Sequence, residues 1–217
     1  MILENILIYF VIIPLLMLAG LALCRNMNQI RTVMTVLSTI LLGLSVYLCV
    51  DFLALRAAGN TDPMLYMASW DWYTPLNIKL ALGVDGISVL MIMLSAIIVF
   101  AGTFASWKID PLPKNFFLWF ALLSMGVFGF FISIDMFTMF MFYEVALIPM
   151  YLLIGVWGTG RKEYSAMKLT LMLMGGSAFL MLGLLGIYWH SAPEGAPLTW
   201  NILEIAQNGA IDRSWQM

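Results

Sequence analysis

Glu144 is the residue whose type and setting most directly imply chemistry. It is the one charged group in MFTMFMFYEVALIPMYLLIGVW, residues 136–157. As a helix this stretch spans about 33 Å, enough to cross a bilayer core of about 30 Å, and it carries the carboxyl roughly 12 Å from its first residue. An ionised acid at the bilayer centre costs at least ~2.5–3.5 kcal/mol, so Glu144 must face protein or internal water, find a basic partner, or hold a proton. Desolvation favours the protonated form, which suits such a group to taking up and releasing protons. Pro149, five residues on, has no N–H and leaves the carbonyl of Val145 without its helical donor, a place where water or a polar side chain is welcome. The plainer alternative is an interhelical hydrogen bond that locks two helices together.

Three further polar residues accompany it. Asp135 opens the same helix and has a structural reading as its N-cap, against a role in proton handling. Its offset of nine residues from Glu144 is about 180° around a helix, so the two carboxyls face different neighbours unless the helix bends. Lys168 lies one turn inside the next apolar run, on a face shared with Ser165 and Gly175, small residues that admit a neighbouring helix. Its ammonium either snorkels to the headgroups or points into the bundle as part of a polar path. His190 sits just outside that run and reads as a surface residue.

The elements that must position these groups are membrane spans. The 217 residues are 63% hydrophobic and 10% charged, with mean hydropathy +0.96, too little polar surface for a water-soluble globule. A net charge of −2 leaves no basic face for nucleic acid. Cys24 and Cys49, with a single histidine, cannot supply the ligand sets of a structural zinc site, an iron–sulfur cluster or a bis-histidine haem. No metal or cofactor site is expected in this chain. The 18 methionines serve lipid-facing and packing surface.

Apolar runs predict helices over 6–23, 32–50, 87–106, 116–133, 136–157 and 166–189, an all-α integral membrane domain. The first lacks a basic leader and reads as a retained span containing Pro14. Residues 51–84, rich in Trp, Tyr, Pro and Asp, read as an interfacial loop whose partial alternation allows a small hairpin. Asp85 is placed to cap the third helix. Residues 190–217 form a polar tail with one short amphipathic piece, Trp200 to Ala206. Arg25, Arg31, Lys108, Lys114, Arg161 and Lys162 fall on one side of the bundle, against Arg56, Lys79 and Arg213 on the other. By the positive-inside rule the first side is cytoplasmic, or its organellar equivalent, and both ends of the chain lie outside.

At FYEVALIPMYLLIGVWG (142–158), with LGVDGISVL (82–90) and SIDMF (133–137), the chain resembles the M-type antiporter-like membrane subunit of proton-pumping NADH:quinone oxidoreductase, respiratory complex I. Lys168 in EYSAMK matches that family's lysine on helix six. The sequence departs from the pattern at Tyr143, where Trp is common, and in LTLMLM after the lysine. The resemblance implies the N-terminal portion of an inverted-repeat subunit, with Glu144 as a protonatable switch and Lys168 on the proton path. The acid's partner lysine would lie on a seventh helix expected beyond residue 217. It also implies L- and N-type subunits as partners, with NADH, FMN, iron–sulfur clusters and quinone in other subunits, in a bacterial inner (plasma) or organellar inner membrane. A subunit of a multisubunit sodium/proton antiporter is the second reading, and a structural membrane spacer the third.

Overall fold

The computed structural model describes residues 5–24, 26–192 and 197–208. Six helices long and apolar enough to cross a membrane dominate it: α1 (Tyr9–Leu23, preceded by a 3-10 turn over Ile6–Ile8), α2 (Met27–Ala57), α3 (Gly86–Ala105), α4 (Pro113–Ile132), α5 (Met136–Trp157) and α6 (Lys162–Trp189). Between α2 and α3 lies an antiparallel hairpin, β1 (Leu65–Tyr73) and β2 (Ile78–Val84), and a short helix α7 (Ile202–Asn208) follows α6.

Several helices extend past the expected bounds. Asp51 to Ala57, expected in the interfacial loop, continue α2, so that the connection to α3 starts at Ala58. At its other end α2 begins at Met27, five residues before Thr32, and α6 begins at Lys162, four before Ala166. Hydropathy reports how deep a residue sits, whereas a helix ends where its backbone finds a cap, and polar residues such as Asn28 or Lys162 do not stop it. Aspartate side chains cap two of the starts. Asp85 Oδ1 accepts from the Ser88 N–H at 2.7 Å, and Asp135 Oδ1 accepts from the Thr138 N–H at 3.0 Å. Pro113 sits in the first turn of α4, where its missing N–H costs nothing.

The core lies among α1 to α4, where Phe10, Met17, Leu21, Met34, Leu41, Ile92, Phe117 and Phe128 are fully buried. Hydroxyls buried among them donate to carbonyls of their own helices: Ser45 to Leu42, Thr103 to Val99 and Ser124 to Ala121. No water is needed to satisfy them in an apolar interior. α5 packs on α4 across two glycines. A Cβ at Gly126 would meet Ala146 Cβ and the Phe142 carbonyl at 2.9 Å, and one at Gly129 would run into the Phe142 ring. Close backbone approach across small residues is how helices associate where no hydrophobic driving force exists.

Both ends of the bundle are tied off. At one, Lys114 Nζ donates to the carbonyls of Ala22 and Cys24, Trp157 Nε1 to that of Pro111, and Lys162 Nζ to that of Val156. Arg25 lies outside the described residues. At the other end the hairpin is paired in register Trp70↔Leu80 and Asp71↔Lys79. It joins the α4–α5 turn through Ile134 N–H to the Ala81 carbonyl at 2.9 Å. The segment before α7 joins the same turn, Met136 N–H donating to the Trp200 carbonyl at 3.0 Å, and Trp200 is buried, its ring stacked on Tyr188. Arg213 and the rest of the tail from residue 209 lie outside the described residues. Cys24 and Cys49 are both free thiols.

Candidate functional site

On α5, residues 140, 144, 147, 148 and 151 share one face by the helical repeat. Phe140, Glu144, Leu147, Ile148 and Tyr151 line an open cavity of about 430 Å³, which Thr170 and Met174 of α6 close from the other side. Glu144 is half-buried. Its Oε1 is buried and has no hydrogen-bond partner among the described residues. A buried oxygen left unbonded costs about 1–3 kcal/mol, more when charged, so this carboxyl is a place that a proton, a cation or a polar group would stabilise. Pro149 is buried in the same helix, one turn beyond the carboxyl.

Lys168 is exposed, and its ammonium lies 6.0 Å from the centroid of the Tyr164 ring. Its neighbours along that face are open: nothing comes within 4 Å of a Cβ built at Gly175 or Gly176. Ser165 is exposed too. The small residues expected to admit a helix therefore meet none among the described residues.

Asp135 is buried at the head of α5, and its second oxygen accepts from the Lys79 N–H of β2 at 3.3 Å. Burial pushes its carboxyl above the usual carboxylate range, opposed by hydrogen bonds from the Thr138, Lys79 and Phe137 backbone. It thus joins hairpin and helix, while Glu144 faces the α5–α6 cavity. His190 caps the end of α6, its Nδ1 2.9 Å from the Gly186 carbonyl.

Three groups escaped the sequence reading. Thr170 lines the Glu144 cavity from another helix, which no periodicity along α5 can reveal, whereas Tyr151, seven residues from Glu144, was within reach of it. The Tyr66 hydroxyl donates to Asp51 on α2, and burial with that carboxylate holds the phenol above its usual range.

Six helices of membrane-crossing length, with a carboxyl facing an inter-helix cavity, define a multi-pass membrane protein. Residues 133–216 match the family model described as "NADH:quinone oxidoreductase/Mrp antiporter, TM". The chain is 38% identical over 137 residues to NAD(P)H-quinone oxidoreductase chain 4 of the Angiopteris evecta chloroplast, covering 62% of this chain and 27% of that one. It is 29% identical over 136 residues to chain 4-2 of Synechocystis, covering 63% and 24%. Among solved structures, a chain of respiratory complex I from Thermus thermophilus superposes with TM-score 0.77 at 20% identity, over 96% of this chain and 41% of that one. A chain of an archaeal membrane-bound sulfane sulfur reductase superposes with TM-score 0.72, also at 20% identity, over 94% and 40%. The chain is similar to NAD(P)H-quinone oxidoreductase chain 4 proteins, and it spans about a quarter of the length of the curated relatives it matches.

Proposed function

We propose that this chain is part of a proton-translocating membrane subunit of an NADH:quinone oxidoreductase, with Glu144 as its intramembrane proton-binding group. The observation that carries the reading is the buried, unpartnered Oε1 of Glu144 at the wall of the α5–α6 cavity. A mid-membrane carboxyl without a fixed donor exchanges a proton for a nearby positive charge at low cost, because neither state breaks an existing bond. Arrival of a cation beside it favours the carboxylate and releases a proton, and departure of the cation restores the acid. Lys168 is the second group of the proposed path, exposed on a face of α6 open to a further helix.

In the complete assembly, L- and N-type subunits are the proposed membrane neighbours, and NADH, FMN, iron–sulfur clusters and quinone belong to other subunits. The names of the relatives support the oxidoreductase setting. In native membranes, Glu144→Gln is expected to abolish proton translocation driven by NADH oxidation while the complex still assembles. Normal acidification in vesicles carrying that variant would end the proposal.

The description of the matched family names Mrp antiporters as well, which favours sodium/proton exchange as the second reading. Purification of the native chain separates the two. Co-purifying flavin and iron–sulfur partners support the oxidoreductase, and sodium-driven pH changes in vesicles without them support the exchanger.

A further inference from the structure

At the basic end of the bundle, Asn28, Arg31, Thr32, Thr35 and Val36 of α2 and Trp107 after α3 line a surface pocket of about 350 Å³. Arg31 is held in place there. One terminal nitrogen donates to the Trp107 carbonyl at 2.8 Å, and the guanidinium lies 5.2 Å from the centroid of the Trp107 ring. Four buried side-chain polar atoms lack a hydrogen-bond partner among the described residues, and two of them, Arg31 Nε and Thr35 Oγ1, belong to this pocket. Residues 31 and 35 are one helical turn apart and share a face. A guanidinium N–H and a hydroxyl left without acceptors on one wall mark a site that an anion would complete.

The surroundings say which anion. The pocket lies in the first turns of α2, at the depth where a span meets the headgroups, and Trp107 is of the type found at that level. Along α2 the next rungs are apolar and open: Val36 is 50% and Ile40 49% exposed. On the α3 side Phe104 is 44% exposed and stacks on Trp107 with the rings 3° from parallel. A free phosphate would use the polar rim and leave these rungs bare, whereas a phospholipid uses both. Lys108 adds positive charge beside Trp107, and Asp110 subtracts some. A guanidinium pairs with two phosphate oxygens at once, and the positive end of the α2 dipole acts in the same direction.

We propose that this pocket is a binding site for an anionic phospholipid of the leaflet facing the basic end, with the headgroup phosphate on Arg31 and Thr35 and an acyl chain along Val36, Ile40 and Phe104. The test is native mass spectrometry of the purified, delipidated protein titrated with phosphatidylglycerol or phosphatidylcholine. Phosphatidylglycerol is expected to be retained roughly tenfold more strongly, because both lipids offer the phosphate but the choline ammonium of phosphatidylcholine is repelled by the Arg31 charge, and the preference is lost in Arg31→Gln. Thr35→Val leaves the Arg31–Trp107 link intact, removes an unpaired hydroxyl and should fold normally, yet lose about threefold in retention. Lys108→Gln should keep the preference. Equal retention of the two lipids, wild-type behaviour of both pocket variants, or an equal loss in Lys108→Gln would overturn the proposal, the last by showing diffuse surface charge alone. Full displacement of phosphatidylglycerol by millimolar inorganic phosphate would overturn the lipid assignment.

Discussion

Glu144 Oε1 is buried with no hydrogen-bond partner among the described residues, and this distinguishes the proposed proton-binding carboxyl from one that locks two helices. A carboxyl that locked two helices would lose its bond in Glu144→Leu, and the protein would melt earlier. With Oε1 buried and unpaired, the same substitution is expected to leave thermal stability in detergent unchanged or to raise it by up to about 1–3 kcal/mol, the cost of the unbonded group. A marked drop in the midpoint would show that the carboxyl is bonded after all. Asp135 has the opposite character, buried, bonded and structural. Its carboxyl is pushed above the ordinary 3.8 by burial, so the folded state binds the proton more tightly than the unfolded chain. The sign follows: this contribution is fully favourable below the ordinary carboxylate range and is lost as pH rises through the raised value. Asp135→Asn keeps a capping side chain and removes the titration. Its stability is expected to fall less than wild type's as pH is raised from about 3.8 through the weakly acidic range, as thermal unfolding at a series of pH values would show.

At the scale of elements, what places Glu144 is the approach of α5 to α4. Gly126 meets the backbone of Phe142 and Ala146 so closely that even a methyl group forces the helices apart. Gly126→Leu is expected to cost about 1–3 kcal/mol or more by overpacking and to shift α5, opening the cavity wall that Glu144 shares with Thr170. The drop in unfolding midpoint measures the first effect, and faster labelling of a cysteine placed at Thr170 the second. An unchanged midpoint would mean that α5 is held by its ends alone. Those ends are well held: Asp135 and Thr138 bond to β2, and Trp157 reaches the Pro111 carbonyl. The face of α6 around Gly175 is the counterpart, an apolar surface with nothing packed on it among the described residues.

For the whole molecule, the two ends of the bundle differ in charge, and that difference predicts its orientation. The links carrying Lys108 and Lys162 lie at one end, and the hairpin lies at the other. With Cys24 and Cys49 replaced, a membrane-impermeant thiol reagent outside intact cells is expected to label a cysteine at Asp62 and to spare one at Lys108. The reverse pattern would invert the proposed topology. The number of helices was legible because crossing hydrocarbon demands about 20 apolar residues whatever the partners. Helix ends such as those of α2 were not, because capping by Asn26 or continuation through Asp51 is a local backbone matter that hydropathy does not report. Asp85 and Asp135 could be read as caps, since an acid one residue ahead of an apolar run has a local reason to be there.

The sequence by itself determined that the chain lives in a membrane, how many times its helices are long enough to cross, and that one acid sits at mid-span. Each follows from the cost of moving groups between water and hydrocarbon, which depends on the residue and its neighbours along the chain. Only the tertiary structure decided that Glu144 shares a cavity with Thr170, that Asp135 ties helix to hairpin, and that Arg31 Nε and Thr35 Oγ1 lack partners among the described residues beside Trp107. These depend on which helices meet and at what rotation. That is fixed by side-chain shape at contacts such as Gly126 and Gly129, between residues far apart in the chain.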